Sequence, residues 1–528
     1  MRESANTSTA AAYEREIGAC LGRGDLAAAA AAAAACRTTW PASITGWLFG
    51  SIIALITNDR LAALALIEEP LRRDPVNPQC LIQKAECLLA LGQRAPALAA
   101  GEAAAARMHT PATLDAVGEF LVRAGEYARA LAIYDRAVGA APRDATIRSK
   151  RATIHRFLGN LDRAAEDYRA VLRIAPGSPK ALKGLAELSR QSTDRNVIGE
   201  MQAALAGLPP DSADAAILHF GLAKSYEDLG EHAASWRHLA AGNRIERSRL
   251  EYTCATDLAA ITGTMDAFPT PEPEWEDTTG ERPIFIVGLP RCGSTLVDRI
   301  LSSHSEVHSA GETTALPDAV NAVAARNGAP PATDLRAEFA RRGKLAGRLI
   351  AAEYLALARV LRGERPRFTD KQLTNFLNCA LILRAFPQAR IVHVKRRPLA
   401  ACYAIYRTRF NGTYPFAYDL AEIAEVYIGY RGLMAHWQRV LPGRILELNY
   451  EELVRDHEPT VHRLLAHVGL PFEPACLEFH RNPAPVITTS SVQVRQPLYD
   501  TALAQWKHYE AQLAPVRERL ERAGIAVD

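Results

Sequence analysis

The sequence lacks every cysteine spacing that would indicate a zinc site or a disulfide framework. Its nine cysteines are odd in number, scattered along 528 residues and never spaced as C-x-x-C. Neither a metal site nor a set of disulfides is therefore predicted, and a reducing compartment is the simpler expectation. The segment from Met1 to Cys20 contains charged residues and no apolar core. We therefore expect no secretory signal and a cytoplasmic protein.

The chain also lacks an excess of charge of one sign. Its 62 basic and 59 acidic residues leave a net charge of +3. Without a large positive field, binding to nucleic acid or to a membrane surface is not expected. Hydrophobic residues at 48% and charged residues at 23% are typical of globular proteins. A length of 528 residues exceeds what one hydrophobic core usually supports, so two or more domains are predicted.

Alanine, by contrast, is abundant, with an unbroken run from Ala27 to Ala35. Because alanine loses no side-chain entropy in a helix, a helix-rich chain is predicted. A long stretch between Arg37 and Asp59 has no charged residue, which is also typical of a membrane span. Pro41 and Ser43 shorten its apolar part below a full span. The repeat pattern described next favours a repeat helix over a membrane segment.

Prolines mark a period of 34 residues in the first half of the chain, between Pro142 and Pro176. A glycine, an alanine and a tyrosine precede each of these prolines by 17, 12 and 8 residues: Gly125, Ala130 and Tyr134, then Gly159, Ala164 and Tyr168. This pattern resembles the tetratricopeptide repeat, in which small residues let two antiparallel helices approach. Four repeats are predicted between about Pro41 and Pro176. Such solenoids bind peptides, hold partners or brace a neighbouring domain, so no chemistry is expected here.

A segment rich in proline and acidic residues, from Phe268 to Pro283, interrupts the repeat pattern. We therefore predict a helical repeat domain over residues 1–265, a linker over 266–282 and a second domain over 283–528. The second domain begins with the apolar run IFIV, the loop GLPRCGST from Gly288 to Thr295 and a helical pattern. Strand, glycine loop and helix together are typical of a phosphate site, because backbone N–H groups at the helix start point at an anion.

The loop departs from that of nucleotide hydrolases, because Ser294 occupies the position of the usual lysine. The later strand IVHV is followed by Lys395, Arg396 and Arg397 instead of the acidic residue that would help to hold magnesium. A kinase or nucleoside triphosphatase is therefore disfavoured. Two basic sites, each after a strand, indicate a ligand with two separated anionic groups.

Several sequence blocks, in order, resemble the sulfotransferase family, and within it the tyrosylprotein sulfotransferases and bacterial proteins that join tetratricopeptide repeats to a sulfotransferase domain. The blocks are PIFIVGLPRCGSTLVDRILSSHSEV, GE at Gly311, TDK at Thr369, FPQARIVHVKRRP at Phe386, YEELV at Tyr450 and SSVQVRQPLY ending at Tyr499. The resemblance implies a P-loop-like α/β domain with a parallel sheet and flanking helices. It also implies 3′-phosphoadenosine 5′-phosphosulfate as donor, with no metal required.

The resemblance assigns the binding of the 5′-phosphosulfate to the loop residues Arg291, Cys292, Gly293, Ser294 and Thr295. Arg291 would also stabilise the charge that develops as the sulfuryl group leaves. Cys292 is interpreted as a small loop residue and not as a nucleophile, since no separate base is evident. A surface turn with a helix cap at Ser294 or Thr295 is the structural alternative.

The resemblance also assigns catalytic roles outside the loop. Glu312 is the expected general base that takes the acceptor proton, and a glutamate at a helix start is its structural alternative. Lys371 would neutralise the oxygen that leaves the sulfur, although an exposed pair with Asp370 is also open. Ser491 aligns with a serine near the same oxygens. Thr314 replaces the family's arginine, so contacts around the acceptor are expected to differ.

Three further residues are expected to bind the donor. Arg396 would hold its 3′ phosphate, Tyr450 its adenine, and Arg495 a phosphate. An aromatic residue at a strand end is otherwise often core. Relatives commonly read R-[DN]-P with a serine eight residues after the arginine, whereas Arg397 and Ala404 stand at those positions here. Loss of one hydrogen bond to a charged group costs about 1.5 to 3 kcal/mol, which the charge of Arg397 would offset.

The sequence therefore predicts a sulfotransferase that moves a sulfuryl group to a hydroxyl acceptor, with tyrosine in a protein or peptide as the leading acceptor. The repeat domain would bind that acceptor. The alternative is a tetratricopeptide scaffold whose second domain is degenerate but still binds nucleotide, which Arg397 and Ala404 favour. The residues make no prediction of oligomeric state.

Overall fold

The computed structural model describes residues 2–107, 109–271, 275–277, 279–326, 334–488, 491–500 and 503–527. The chain divides into two compact units, Met1–Ile154 and His155–Asp528. Both units contain helices, and the β-sheet belongs to the second. The ranges 1–265, 266–282 and 283–528 inferred from the sequence pattern stay a prediction.

The first unit consists of helices joined by short turns. They are α1 (Arg2–Gly22), α2 (Leu26–Thr39), α3 (Thr45–Ile56), α4 (Arg60–Arg73), α5 (Pro78–Ala90), α6 (Arg94–Ala105), α7 (Pro111–Arg123), α8 (Tyr127–Ala140) and α9 (Ala145–Leu158), which crosses into the second unit. The helices α3 with α4, α5 with α6 and α7 with α8 pack as pairs. This pairing is the helix–turn–helix unit expected of the tetratricopeptide pattern.

The residues of the 34-residue period occupy the positions that their chemistry suits. The glycine before the second helix of a pair has a positive φ, +72° at Gly92 and +77° at Gly125, which only glycine adopts without strain. The alanine five residues later is fully buried at Ala97 and Ala130. Tyr134 is 2% exposed and fills the space that small residues leave between helices. The predicted helical repeat is therefore confirmed.

The uncharged stretch that imitates a membrane span folds as α3, which has only 12 residues. A helix needs about 20 apolar residues to cross the hydrocarbon core of a bilayer. Among the described residues, no helix combines the length and the apolar character that a membrane crossing requires. The interpretation of this stretch as a repeat helix is confirmed.

The second unit continues with helices before its sheet begins. These are α10 (Leu161–Ile174), α11 (Pro179–Leu188), α12 (Ile198–Ala206), α13 (Ala213–Asp228), α14 (His232–Ser248) and α15 (Ala255–Ala267). Phe268 then begins the proline-rich segment and is 2% exposed, with its ring centroid 5.7 Å from that of Trp437. Packing of this apolar side chain anchors the start of the segment.

The rest of the second unit alternates strands and helices. In order they are β1 (Ile284–Val287), α16 (Ser294–Ser302), β2 (Val307–Ser309), α17 (Ala315–Arg326), α18 (Leu335–Arg341), α19 (Gly347–Ala358), β3 (Arg367–Asp370), α20 (Cys379–Ala385), β4 (Arg390–Lys395), α21 (Pro398–Tyr406), α22 (Leu420–Val440), β5 (Ile445–Asn449), α23 (Tyr450–Arg455), α24 (His457–Val468) and α25 (Glu510–Arg522). Alternation of this kind is typical of a parallel sheet covered by helices.

The five strands form one parallel sheet in the order β2-β3-β1-β4-β5. The central strand β1 is buried along its whole length. Its side chains alternate between the two faces: Ile284 and Ile286 join one hydrophobic cluster, and Phe285 and Val287 join the other. A continuous apolar run is what a strand with helices on both faces requires. The predicted α/β class with a parallel sheet is confirmed.

The parallel topology decides where chemistry can gather. All five strands end at the same edge of the sheet, and ligands of such sheets bind outside the carboxyl ends of the strands. Gly288, Glu312, Lys371, Arg396 and Tyr450 each follow a different strand. The segments that begin with these residues therefore all start at the same edge of the sheet.

Candidate active site

The loop between β1 and α16 has the backbone of an anion cradle. Gly288 and Gly293 have φ values of +153° and +101°, and Arg291 has φ of +66°. A left-handed conformation is uncommon outside glycine and is often found at functional sites. A Cβ at Gly293 would collide with the ring of Tyr450, so only glycine fits there. The loop thus brings the start of α16 to the strand ends, and a helix N-terminus is a favourable place for an anion.

Glu312 and Lys371 meet beside this loop. The Lys371 Nζ lies 2.5 Å from the Glu312 Oε1, and the backbone N–H of Lys371 donates to the carbonyl of Gly311 at 2.9 Å. The lysine side chain is only 2% exposed, whereas the glutamate side chain is 47% exposed. The buried cation thus fixes a carboxylate whose free edge faces the pocket described below.

Asp370 supports Lys371 from beneath the site. Its carboxyl group accepts hydrogen bonds from the Tyr354 hydroxyl at 3.1 Å and from the Gln372 N–H at 3.0 Å. Burial raises the pKa of Asp370 to about 7, and these two hydrogen bonds oppose that effect. A buried carboxyl group with a raised pKa therefore lies directly before Lys371, at the end of β3.

A pocket of about 280 Å³ collects most of the residues singled out in the sequence. Those that line it are Arg291, Gly293, Ser294, Thr295, Glu312, Arg396 and Tyr450. The guanidinium of Arg396 lies over the Tyr450 ring at 5.1 Å from its centroid. Ala404 also lines the pocket, at the position where the resemblance predicts a serine. The glycine loop and Arg396, but neither Lys395 nor Arg397, therefore border this cavity.

Four singled-out residues do not line this pocket: Cys292, Lys371, Ser491 and Arg495. Cys292 is 2% exposed, and burial raises the pKa of its thiol to about 11, which disfavours the thiolate. Lys371 contacts Glu312, which does line the pocket. Ser491 is fully buried, and its hydroxyl has no hydrogen-bond partner within the described residues.

Arg495 has partners of another kind. Its guanidinium donates to the carbonyl of Phe157 at 2.8 Å and to that of Ala484 at 3.2 Å. Both hydrogen bonds are made to backbone carbonyl groups and not to a group in the pocket. The expected phosphate contacts of Arg495 and the role of Ser491 stay predictions.

Sequence reasoning missed Arg407, which lines the pocket together with Arg396. Arg407 follows α21 and lies three residues after Ala404, so the two share a helix face. No motif in the sequence marks Arg407, although its distance from Ala404 corresponds to one helical turn. From the C-terminal block, the residues that line the pocket include Gln493, Gln496 and Tyr499, which sequence reasoning did not single out.

Arg291, Arg396 and Arg407, three of the four arginines that line the pocket, repel one another. Burial lowers the pKa of Arg291 to about 10, and the charges of Arg407 and Arg396 contribute to that decrease. Like charges at close range are unfavourable unless an anion lies between them. The arrangement is therefore suited to a ligand with several negative charges.

A larger cavity of about 640 Å³ adjoins the pocket and shares Arg291, Arg407 and Arg409 with it. Residues of α11, α13 and α14 form much of its remaining wall, among them Glu187 and Glu227. Helices that precede the sheet thus border a cavity that leads to the strand ends. A volume of about 640 Å³ lies within the range of ligand-binding cavities.

Comparison with known proteins finds a similarity for each of two segments of the chain. The family model described as "Sulfotransferase family" matches residues 283–474, and the one described as "Tetratricopeptide repeat" matches residues 119–179. An uncharacterized protein of Aquifex aeolicus (strain VF5) is 31% identical over 379 residues, covering 69% of this chain and 48% of that protein.

A protein-tyrosine sulfotransferase of Drosophila melanogaster is 24% identical over 242 residues, covering 42% of this chain and 46% of that protein. The chain thus spans about half the length of each of these two relatives. A solved sulfotransferase domain from the curacin biosynthetic pathway has a TM-score of 0.34 and 18% identity, covering 47% of this chain and 99% of that one. Residues 283–474 therefore resemble the sulfotransferase family and residues 119–179 the tetratricopeptide repeat, in agreement with the parallel sheet and the paired helices.

Proposed function

We propose that this chain transfers a sulfuryl group from 3′-phosphoadenosine 5′-phosphosulfate to the hydroxyl group of a tyrosine in a protein or peptide. The observation that carries the proposal is the contact of Glu312 with Lys371 at the lip of a pocket in which Arg291, Arg396 and Arg407 converge. A carboxylate beside a polycationic pocket supports proton removal from an acceptor next to an anionic donor.

The residues divide the reaction between them. The acceptor oxygen bonds to sulfur as the bond between sulfur and the leaving phosphate oxygen breaks. Glu312 takes the acceptor proton, and its contact with Lys371 at 2.5 Å keeps the carboxylate oriented. Arg291 and the N–H groups of the loop stabilise the charge on the leaving oxygens. The second product is adenosine 3′,5′-bisphosphate.

A protein or peptide acceptor is supported by two features. The matched relatives include a protein-tyrosine sulfotransferase, and a cavity of about 640 Å³ adjoins the pocket. Helices of the second unit border this cavity, which would let them contact an acceptor chain. Tetratricopeptide repeats in general bind extended peptides on their helical surfaces.

The test combines the wild-type chain with one variant at the base. We expect sulfated product when the purified protein is incubated with the donor and a tyrosine-containing peptide library. Glu312→Gln should lower kcat by about 100-fold or more, since a general base contributes that much, and should leave affinity for adenosine 3′,5′-bisphosphate within about twofold. Mass spectrometry of the peptides and calorimetry measure the two effects.

The matched control is Glu452→Gln, because Glu452 forms an ion pair with Arg463 at 2.8 Å and does not line the pocket. It should retain wild-type turnover. Equal turnover in Glu312→Gln and wild type would remove the base assignment. Absence of sulfated peptide, with binding of adenosine 3′,5′-bisphosphate retained, would contradict the tyrosine acceptor.

A second candidate function rests on Ala404. Its side chain lines the pocket where a serine hydroxyl would contact the 3′ phosphate, so the domain would bind nucleotide weakly and act as a scaffold. This candidate requires that no donor turnover be found with any hydroxyl acceptor. Turnover of the donor would exclude it.

A further inference from the structure

Arg407 lines the pocket, and its guanidinium forms an ion pair with Glu227 and a hydrogen bond with Gln505. Its Nη2 lies 2.6 Å from the Glu227 Oε2, and its Nη1 donates to the Gln505 Oε1 at 2.5 Å. The side chain remains 26% exposed, and the exposed part lines the pocket beside Ala404. A long, flexible side chain is thereby held in one orientation towards the cavity.

Glu227 belongs to α13, one of the helices that precede the sheet, and its side chain is only 7% exposed. It also accepts hydrogen bonds from the hydroxyl groups of Tyr403 and Tyr509, the latter at 3.5 Å. Two hydroxyl groups and one guanidinium therefore orient this carboxylate. A nearly buried carboxylate with several donors is a rigid support for a cation.

The pair of Glu227 and Arg407 lies beside Ala404, where the hydroxyl group of the expected serine is missing. Ala404 provides no hydroxyl group for a phosphate, and Arg407 lies one helical turn beyond it on the same face. A guanidinium presents planar N–H donors that match phosphate geometry. Arg407 can therefore supply the hydrogen bonds that Ala404 cannot.

We propose that Glu227 is a positioning residue of the donor site, and that it holds Arg407 where the guanidinium binds the donor's 3′ phosphate in place of the serine absent at Ala404. The proposal rests on the proposed function, since it takes the pocket as the donor site. A helix outside the sulfotransferase-family match, α13, thereby contributes to nucleotide recognition.

If charge alone mattered, Glu227 would weaken the binding of the 3′ phosphate by Arg407. A carboxylate next to Arg407 neutralises part of its charge and in that way competes with the phosphate for the guanidinium. The two effects differ in sign. Positioning predicts that removal of Glu227 weakens recognition of the 3′ phosphate, whereas competition predicts that removal strengthens it.

The test measures the ratio of two affinities in the full-length chain by calorimetry, for adenosine 3′,5′-bisphosphate and for adenosine 5′-phosphate. A general loosening of the site lowers both affinities together, whereas the ratio isolates the 3′ phosphate. Glu227→Ala should reduce the preference for the bisphosphate by about tenfold, as for loss of a hydrogen bond to a charged group. Glu227→Gln keeps an acceptor oxygen for Arg407 and should reduce it by about threefold.

The matched control is Glu422→Ala. Glu422 is 17% exposed and pairs with Arg247 of α14 through two contacts of 2.8 Å, and neither residue lines the pocket. It removes a comparable ion pair between a preceding helix and α22. We expect a lowered melting temperature and an unchanged affinity ratio.

Each outcome decides the question. An unchanged or increased preference in Glu227→Ala overturns the positioning role. If that variant does not fold, the same ratio in Glu227→Gln decides instead. Failure of the wild type to bind either nucleotide contradicts the proposed function itself, and so is distinguishable from failure of the positioning role.

Discussion

A glycine lies against a tyrosine ring in the repeat helices and again in the loop between β1 and α16. In the repeats, a Cβ at Gly118 would lie 2.7 Å from the Tyr134 Cζ, and Tyr134 is 2% exposed. In the loop, a Cβ at Gly293 would meet the ring of Tyr450, which lines the pocket under Arg396. In the repeats this close approach fills the core between two helices, whereas in the loop the glycine and the tyrosine both line the pocket. The difference comes from the backbone, since Gly293 has φ of +101° and Gly118 is helical.

The two regions also treat charge differently. In the repeats, Asp115 pairs with Lys150 at 2.7 Å, and both side chains remain partly exposed. At the sheet edge, Asp370 is fully buried and accepts hydrogen bonds from uncharged donors, while four arginines line one cavity. Paired surface charges contribute little to either stability or binding. Crowded or buried charges shift pKa values and mark functional sites.

The largest expected effect is that of Gly293→Ala. The left-handed backbone and the collision with Tyr450 each cost about 1 to 3 kcal/mol, and moving the loop removes its N–H groups from the anion. We expect a loss of about 100-fold in affinity for adenosine 3′,5′-bisphosphate, measured by calorimetry. Gly443→Ala is the control, because it shares the positive φ of +72° but meets no atom within 4 Å. Equal affinity losses in both variants would show that strain alone matters.

The next effect in size concerns pH. Burial raises the pKa of Asp370 from 3.8 to about 7, so the folded chain retains a proton that the unfolded chain has already lost. This contribution to stability is fully present below about pH 4, and it decreases by about 1.4 kcal/mol for each pH unit as the pH rises to about 7. Urea unfolding of wild type and Asp370→Asn should therefore diverge over this range, with the variant relatively more stable at about pH 8. If the free energies of unfolding of the two proteins depended on pH in the same way, the raised pKa of Asp370 would be contradicted.

The smallest effect is expected in the repeats. Gly118→Ala should lower the free energy of unfolding by about 1 to 3 kcal/mol, because the new methyl group overlaps Tyr134. Gly139→Ala, in α8, meets no atom within 4 Å and should raise it by up to about 1 kcal/mol. Denaturant unfolding measures both. A change in nucleotide affinity in either variant would break the contrast between core packing and anion binding.

Local patterns predicted a large part of this architecture. The spacing of Gly125, Ala130 and Tyr134 indicated a helix pair because each residue type meets a local demand for a turn, close approach or filling. The run Ile284–Val287 predicted β1, since a strand buried on both faces must be apolar throughout. Residues that follow strands, such as Glu312 and Arg396, could be predicted to share one edge because parallel strands end together.

Other features could not be read from local patterns. Arg407 stands at the end of a helix without any motif of its own, and Glu227 lies in a helix outside the sulfotransferase-family match. Ser491 and Arg495 stand in a block that resembles the family, yet neither lines the pocket, whereas Gln493 does. A segment without regular periodicity does not reveal which of its side chains point inwards.

The sequence by itself determined the repeat period, the strand–loop–helix unit and the residue types at the strand ends, because each depends on neighbours within a few positions. Only the tertiary structure decided that Lys371 forms an ion pair with Glu312 and that Glu227 forms one with Arg407. Those contacts join residues far apart in the chain. Their geometry follows from helix and sheet packing, which the order of residues alone does not display.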